Sequence, residues 1–347
     1  MEDIQANVTI GFPVYNVEKY IYRSLESALN QDFDNYEIIV VDDCGSDKSM
    51  EIVDKLAKSH PKGEIIRIIR HQQNKGLAEA RNTAIKNAKG KYIFFLDSDD
   101  HIPTNALSTL FNAAEKYQTD VTYGSSYKEK EGEIFEDSDN KLSFTLFINP
   151  GEYTTFLYSN IQDIIPEVVW NILFSMDFLR KNDLLFPDIR RQEDLAFDEV
   201  FQPCVKKAVI LPDKTYYYVV REDSLMNRKV RDKINISEVE RAIRLCNIMK
   251  KSCYKYRNEV FYAGKCAKVM KRCFFQAAGI LKHRHQFTEN ITDKEIRDIM
   301  KHPDSFLKIL TFKQLKSYNL LYFFIGILPP KLSIKLIKYI CHKKNYF

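Results

Sequence analysis

The residues best placed to do chemistry are acids that sit where apolar runs end. Asp97-Ser98-Asp99-Asp100 follows the run Tyr92–Leu96. Three carboxylates in four residues repel one another at neutral pH, and a bound cation relieves that repulsion. Hard divalent ions take oxygen ligands, and Mg²⁺ typically uses one or two carboxylates together with substrate phosphates. The competing reading is a turn in which Asp100 caps a helix beginning near Thr104, which accounts for one acid of the three. A second pair, Asp42-Asp43, ends the run Ile38–Val41 and precedes Cys44-Gly45-Ser46-Asp47. One of these acids can accept a hydrogen bond from a nucleobase imide or a ribose hydroxyl. Ser46 or Asp47 can cap the helix that follows.

Such clusters need a scaffold that brings strand ends together. Val8–Phe12, Ile38–Val41, Ile65–Ile69 and Tyr92–Leu96 read as strands. Between them Glu18–Leu29, Met50–Lys58 and Leu77–Ala88 carry helical spacing, with Ile21, Leu25, Ala28 and Leu29 on one face. This alternation predicts an α/β fold with a mostly parallel sheet flanked by helices. Ligands of such sheets bind beyond the carboxyl ends of the strands. Pro13–Asn16, Asp42–Asp47 and Asp97–Asp100 all fall there. Thr104–Tyr117 reads as a further helix and Lys128–Asp139 as a charged hairpin or excursion. Strands are expected at Ala208–Leu211 and Tyr216–Val220.

Charge divides the chain. Its 347 residues are long enough for two domains, and the overall net charge of +5 conceals an asymmetry. Residues 1–225 have a net charge of −13 and residues 226–347 a net charge of +18. The basic part reads as helical over roughly 236–256, 258–282 and 292–301. The expected domains are therefore 1–226 and a helical basic region 227–347. A basic surface seeks an anionic membrane, a nucleic acid or an acidic partner, or is simply solvated.

Four segments together carry a family resemblance. Phe12-Pro13-Val14-Tyr15-Asn16 looks like the opening motif of the family 2 glycosyltransferases. Val41–Ser49 is similar to their second motif, with Cys44 where Gly or Asn is usual. Asn74-Lys75-Gly76-Leu77-Ala78-Glu79-Ala80-Arg81-Asn82 resembles the third, and Gly90–Asp100 the metal-binding motif with its preceding strand. The match is close over about the first hundred residues and looser to about 226. It implies a GT-A fold, a nucleotide-diphosphate sugar donor with UDP favoured, and Mn²⁺ or Mg²⁺. By position, Pro13 and Tyr15 would flank the base and Asp43 would bind its imide. Arg81 would approach the diphosphate or sugar, Asp97 the ribose or sugar, and Asp99 would hold the metal.

The resemblance extends to the acceptor side. Arg191-Gln192-Glu193-Asp194-Leu195-Ala196-Phe197 resembles the family's acidic motif at a helix start. It makes Asp194 the general base of an inverting transfer, with Glu193 beside the acceptor. Helix-start acids also occur for purely electrostatic reasons. Trp170-Asn171-Ile172-Leu173-Phe174 resembles an acceptor-side segment, in which Trp170 either stacks on a sugar or belongs to the core. Tyr216–Ser224 resembles the closing strand and loop, from which Arg221 would reach the diphosphate. Val219 replaces the first of two expected basic residues. The implied acceptor is a glycan or a polyprenyl-linked glycan.

The end of the chain adds a membrane expectation. Leu320–Leu328 is apolar, Pro329-Pro330 breaks it, and Lys331, Lys335 and Lys338 then line one helical face opposite Ser333, Leu336, Ile337 and Ile340. That pattern suits an interfacial amphipathic helix, or a tail packed on protein or in a homo-oligomer contact. No apolar stretch reaches transmembrane length, and Met1–Asn16 lacks a signal-peptide pattern. Seven cysteines without C-x-x-C spacing read as buried small residues in a reducing compartment. The expected location is cytoplasmic, peripheral on the inner membrane face. A nucleotidyltransferase would show a Gly-rich phosphate loop after the first strand, which Phe12–Asn16 lacks. A non-catalytic scaffold would have lost acids at 43, 97, 99 or 194. No recognition motif supports nucleic-acid binding.

Overall fold

The computed structural model describes residues 6–136, 142–162, 165–221 and 233–346. Two compact units emerge, Met1–Tyr153 with Ile165–Asn227, and Thr154–Ile164 with Arg228–Phe347. The boundary expected between residues 226 and 227 lies outside the described residues. So do Glu222–Ser224, the first five residues and the tip of the charged excursion at 137–141.

The first unit opens with β1 (Val8–Val14), α1 (Ile21–Leu29), β2 (Tyr36–Asp42), α2 (Ser49–Ser59), β3 (Ile66–Arg70), α3 (Leu77–Asn87) and β4 (Tyr92–Phe95). It continues with α4 (Ala106–Tyr117), β5 (Val121–Lys130), β6 (Glu133–Glu136) and β7 (Thr145–Phe147), after which α5 (Glu152–Tyr158) passes into the second unit at Thr154. β8 (Ile172–Ser175), α6 (Met176–Lys181), α7 (Glu193–Phe201) and β9 (Ala208–Val219) complete the first unit. The strands form one sheet in the order β3-β2-β1-β4-β8-β5-β9-β7, with β6 paired to β5.

From β3 to β4 the sheet is parallel. Beyond β4 it is mixed, because β8 runs antiparallel to both β4 and β5. Every residue of β1 is buried, as expected of a strand covered by helices on both faces. α1 buries Ile21, Leu25, Ala28 and Leu29, the face its spacing predicts. α3 is less conventional, since its buried face includes Arg81 and Asn82. The two strands expected after residue 208 are one strand. Its register against β5 slips where Leu211-Pro212-Asp213 stands opposite Gly124. A bulge of this kind tolerates the proline, which has no N–H to pair.

The second unit is helical: α8 (Ser237–Tyr254), α9 (Tyr262–Lys282), α10 (Asp293–Ile299), α11 (Phe306–Leu310), α12 (Lys316–Ile327) and α13 (Pro330–Lys343). Cys246, Cys253, Cys266, Cys273 and Cys341 are buried free thiols of this unit, whereas Cys44 in the first unit is exposed. Lys331, Lys335 and Lys338 of α13 face solvent. The opposite side of α13, with Ser333, Ile334, Ile337 and Cys341, is buried against α9, α10 and α12. Ser333 Oγ donates to the Ile325 carbonyl at 2.8 Å. Of the four residues opposite the lysines, Ser333 and Ile337 are covered by protein, while Leu336 and Ile340 remain partly exposed. Among the described residues no helix is long and apolar enough to cross a membrane.

Candidate active site at the strand ends

β1 and β4 separate where the site begins. Their pairing stops at Gly11↔Phe95 and is closed by Leu96 N–H donating to the Gly11 carbonyl at 3.1 Å. β1 continues beside β2 as far as Val14↔Asp42. In the alternation Pro13 faces the side that β4 has left, so its missing N–H breaks no ladder bond. The strand order reverses here, with β2 on one flank of β1 and β4 on the other, which is where open α/β sheets place their ligands.

The loop after β2 sits beside the opening. Asp42 accepts from Cys44 N at 3.0 Å, and Asp47 accepts from Glu18 N at 2.8 Å and from Ser49 N, at the start of α2, at 3.0 Å. Tyr15 is half-exposed, and Asn16 Oδ1 takes the Ser46 N–H at 2.8 Å. Asp43 is buried and its carboxylate is fully occupied. It accepts from Asn74 Nδ2 at 2.9 Å and from the N–H groups of Lys75 and Gly76, each at 2.8 Å, and lies 2.7 Å from His71 Nδ1. Gly76 adopts φ of +91°, a conformation that favours glycine. Asp43 thus orders the segment 71–76 that leads into α3. A cleft of about 300 Å³ opens alongside, lined by Asn74, Lys75, Glu79, Asn82, Asp188 and Arg190 among others.

Arg81 is the centre of the arrangement. Its side chain is 0% exposed, and it binds three carboxylates from distant parts of the chain. Nη2 donates to Asp97 Oδ1 at 2.8 Å, and Nη1 donates to Glu193 Oε1 at 3.0 Å and to Asp194 Oδ1. Arg81 therefore does not stand free to approach a diphosphate. It joins the end of β4 to the start of α7. Arg191 and Gln192 both adopt positive φ, 73° and 57°, immediately before Glu193. Two successive non-glycine residues in this region store strain, and they turn the first acids of α7 toward Arg81. Burial pushes the Asp194 carboxyl up to about 8, with Glu193 and Asp97 adding to the shift and Arg81 opposing it.

The remaining acids of the β4 cluster have separate partners. Asp100 does not cap α4, whose N-cap residue is Asn105. It accepts from the Tyr216 hydroxyl at 2.9 Å and from Val219 N at 2.8 Å, which ties the β4 loop to β9. Burial, reinforced by Asp99 and Asp97, raises its pKa well above the usual carboxylate range. Asp99 pairs with Arg221, whose guanidinium lies 4.8 Å from the centre of the Tyr20 ring. Burial and then Asp97 raise the Asp99 pKa, with Arg221 and Arg81 opposing.

Trp170 is 9% exposed and stacks with Tyr216 and Tyr218 at 4.6 and 5.5 Å between ring centres. Here it is a core residue beneath the loop. The expected strand Tyr216–Val220 includes Tyr216 without giving it a role, although alternation along a strand places Tyr216 and Tyr218 on one face. Nothing local flags His71, whose Asp43 partner is 28 residues away.

The available donors near Asp97 and Asp99 are carboxylate oxygens, the chemistry a hard divalent ion takes. Among the described residues no group of three His, Cys, Asp or Glu side chains could hold an ion unaided. A site completed by substrate phosphates is consistent with that.

Comparisons with known proteins give the family and the fold. The family model described as glycosyl transferase family 2 matches residues 9–181. The poly(ribitol-phosphate) beta-glucosyltransferase of Bacillus spizizenii is 32% identical over 231 residues, covering 62% of this chain. The chain spans only 32% of that enzyme's length. Glycosyltransferase GlyG of Streptococcus pneumoniae serotype 4 is 31% identical over 231 residues, covering 63% of this chain and 72% of that protein. Among solved structures, S. aureus TarS 1–349 in complex with UDP-GlcNAc superposes with a TM-score of 0.68 at 20% identity, over 95% of this chain and 92% of that one. The GT-A expectation is met, and the chain belongs to the family 2 glycosyltransferases.

Proposed function

We propose that the protein is an inverting, metal-dependent transferase acting in cell-surface polysaccharide synthesis. It moves a hexosyl or N-acetylhexosaminyl group from a UDP-sugar to a hydroxyl of a glycan or polyprenyl-linked glycan. The observation that carries this reading is the buried Arg81, which holds Asp97 at the end of β4 and Glu193-Asp194 at the start of α7 on one guanidinium. Donor-side and acceptor-side acids are thereby kept in one geometry. The UDP-GlcNAc bound to TarS and the poly(ribitol-phosphate) in the name of the B. spizizenii relative support the substrate class.

In this reading Pro13 and Tyr15 flank the base, and Asp43 serves it indirectly by ordering Asn74, Lys75 and Gly76. Asp97 meets the ribose or sugar, Asp99 is the metal-binding acid of the DXD motif, and Arg221 leaves Asp99 for the diphosphate. A bound Mn²⁺ or Mg²⁺ would neutralise charge on the departing diphosphate. Asp194, the general base, takes the proton from the acceptor hydroxyl as its oxygen attacks the anomeric carbon from the face opposite the nucleotide. Glu193 and Arg81 hold that carboxylate in place, and Trp170 supports the acceptor side from the core. Residues 1–226 carry the chemistry, and residues 227–347 anchor it peripherally on the cytoplasmic face of the membrane.

A screen of nucleotide-diphosphate sugars, read as nucleotide release with Mn²⁺, Mg²⁺ or chelator, tests the proposal. Release from a UDP-sugar that requires the ion is expected. Turnover unaffected by chelator would overturn the metal assignment, and no release from any donor would overturn the activity.

A further inference from the structure

α12 is apolar on more of its surface than the protein covers. Asn319, Tyr322, Ile325 and Gly326 form its buried side. Leu321, Phe324 and Ile327, spaced three residues apart, lie on another side and are exposed. A helix apolar all round is ordinarily buried or spans a membrane. Twelve residues rise only ~18 Å, short of the ~30 Å hydrocarbon core, so α12 cannot span. Its uncovered side therefore calls for an apolar environment reached from one direction.

α11 extends that side. Phe306 contacts the rings of Phe323 and Phe324 at 5.8 and 5.9 Å, joining the two helices. Leu307 and Leu310 of α11 are exposed, Leu307 at 75% and Ile327 of α12 at 55%. Monomeric surfaces rarely leave this many large apolar side chains together. The charge around them has one sign. From Ser305 to Phe347 there are eight lysines and no acidic residue. Lys308, Lys313 and Lys316 are exposed on and between the two helices, and Lys331 and Lys335 follow the Pro329-Pro330 break.

We propose that the outward side of α11 and α12, not α13, is a docking surface for an anionic lipid bilayer. Leu307, Leu310, Phe324 and Ile327 enter the interface, and the lysines meet the phosphate headgroups. Burial of apolar side chains and attraction to anionic lipid act together in such a surface. A second copy of the chain would be repelled by the uniform positive charge, which favours lipid over self-association. This deepens the membrane part of the proposed function and is independent of the transfer chemistry.

The test uses the full chain with vesicles of phosphatidylcholine alone or mixed with phosphatidylglycerol. Wild type should co-float with the anionic vesicles and only weakly with the neutral ones. Leu307→Glu with Ile327→Glu, at sites open to solvent, should abolish flotation while leaving circular dichroism and melting temperature unchanged. Lys308→Gln with Lys316→Gln should weaken partitioning about fivefold per lysine. High salt should weaken wild-type binding without removing it, because apolar burial is not screened. Absence of wild-type flotation, or flotation equal in the double glutamate variant, overturns the proposal. A dimer in light scattering that the glutamate variant dissociates, without vesicle binding, assigns the surface to self-association and also overturns it. Nucleotide release measured without vesicles reports separately on the active site.

Discussion

Asp194 makes the acid–base chemistry testable through pH. Its carboxyl titrates at about 8 rather than 3.8, chiefly because burial penalises the charged form. A base must be ionised to work. At pH 7 a group titrating near 8 is ionised in only about one molecule in ten. The transfer rate kcat/KM, which reports the free enzyme, should therefore rise about tenfold per pH unit up to pH 7 and level off above about pH 8. Arg81 opposes the shift, so Arg81→Gln should move the midpoint higher still. It should also cost about 3–5 kcal/mol of stability, because three carboxylates lose their buried counter-charge. Asp194→Asn should lower transfer ~10²–10⁴-fold, leave donor affinity nearly unchanged and flatten the profile. The assay is nucleotide release from about pH 6 to about pH 9 with melting followed in parallel. A flat wild-type profile, a midpoint near the ordinary carboxylate value, or an unchanged profile in Asp194→Asn would refute the reasoning. Stability gives a second check with a defined sign. The folded chain keeps a proton that the unfolded chain releases, so the raised pKa costs stability progressively as pH climbs from 3.8 toward 8. The Asn variant lacks that loss, and its melting temperature should gain on wild type as pH rises.

Three further outcomes follow from particular contacts. Asp99→Asn should remove the ion-dependent part of UDP binding while leaving ion-free binding, read by calorimetry with and without Mn²⁺; equal loss in both conditions would contradict a metal role. Asp43→Ala strips the acceptor from Asn74 and from the partly buried N–H groups of Lys75 and Gly76, and should destabilise the protein by about 3 kcal/mol in urea titration. Gly264→Ala would set a Cβ 1.8 Å from the Tyr158 carbonyl oxygen within the helical unit. The backbone there must move, and a loss of about 3 kcal/mol is expected, seen as a lower melting temperature.

The first four strands, their helices and the position of the acid clusters were legible in the sequence. Apolar periodicity marks an element wherever one face is covered, and a cluster at a strand end inherits its place from the strand. β1, β2 and α1 appear where their patterns put them. The mixed half of the sheet was not legible, because the direction in which β8 enters between β4 and β5 depends on chain paths that no local pattern records. Nor was α13 read in full. Its lysine face is outside as predicted, but an amphipathic pattern shows only that an apolar side is covered, not by what.

Within the site the division is similar. The resemblance of the motifs to the family picks out Asp97, Asp99, Arg81, Glu193 and Asp194 one by one. Only the tertiary structure decides that Arg81 is bonded to acids 16, 112 and 113 residues away, that Asp43 spends its carboxylate on its own loop, and that Asp100 answers to Tyr216 rather than to a helix. The physical reason is that charge and hydrogen-bonding capacity belong to the residue, whereas burial and the choice of partner belong to the packed chain. Burial is what moves the Asp194 carboxyl from an ordinary acid to one poised near neutral pH.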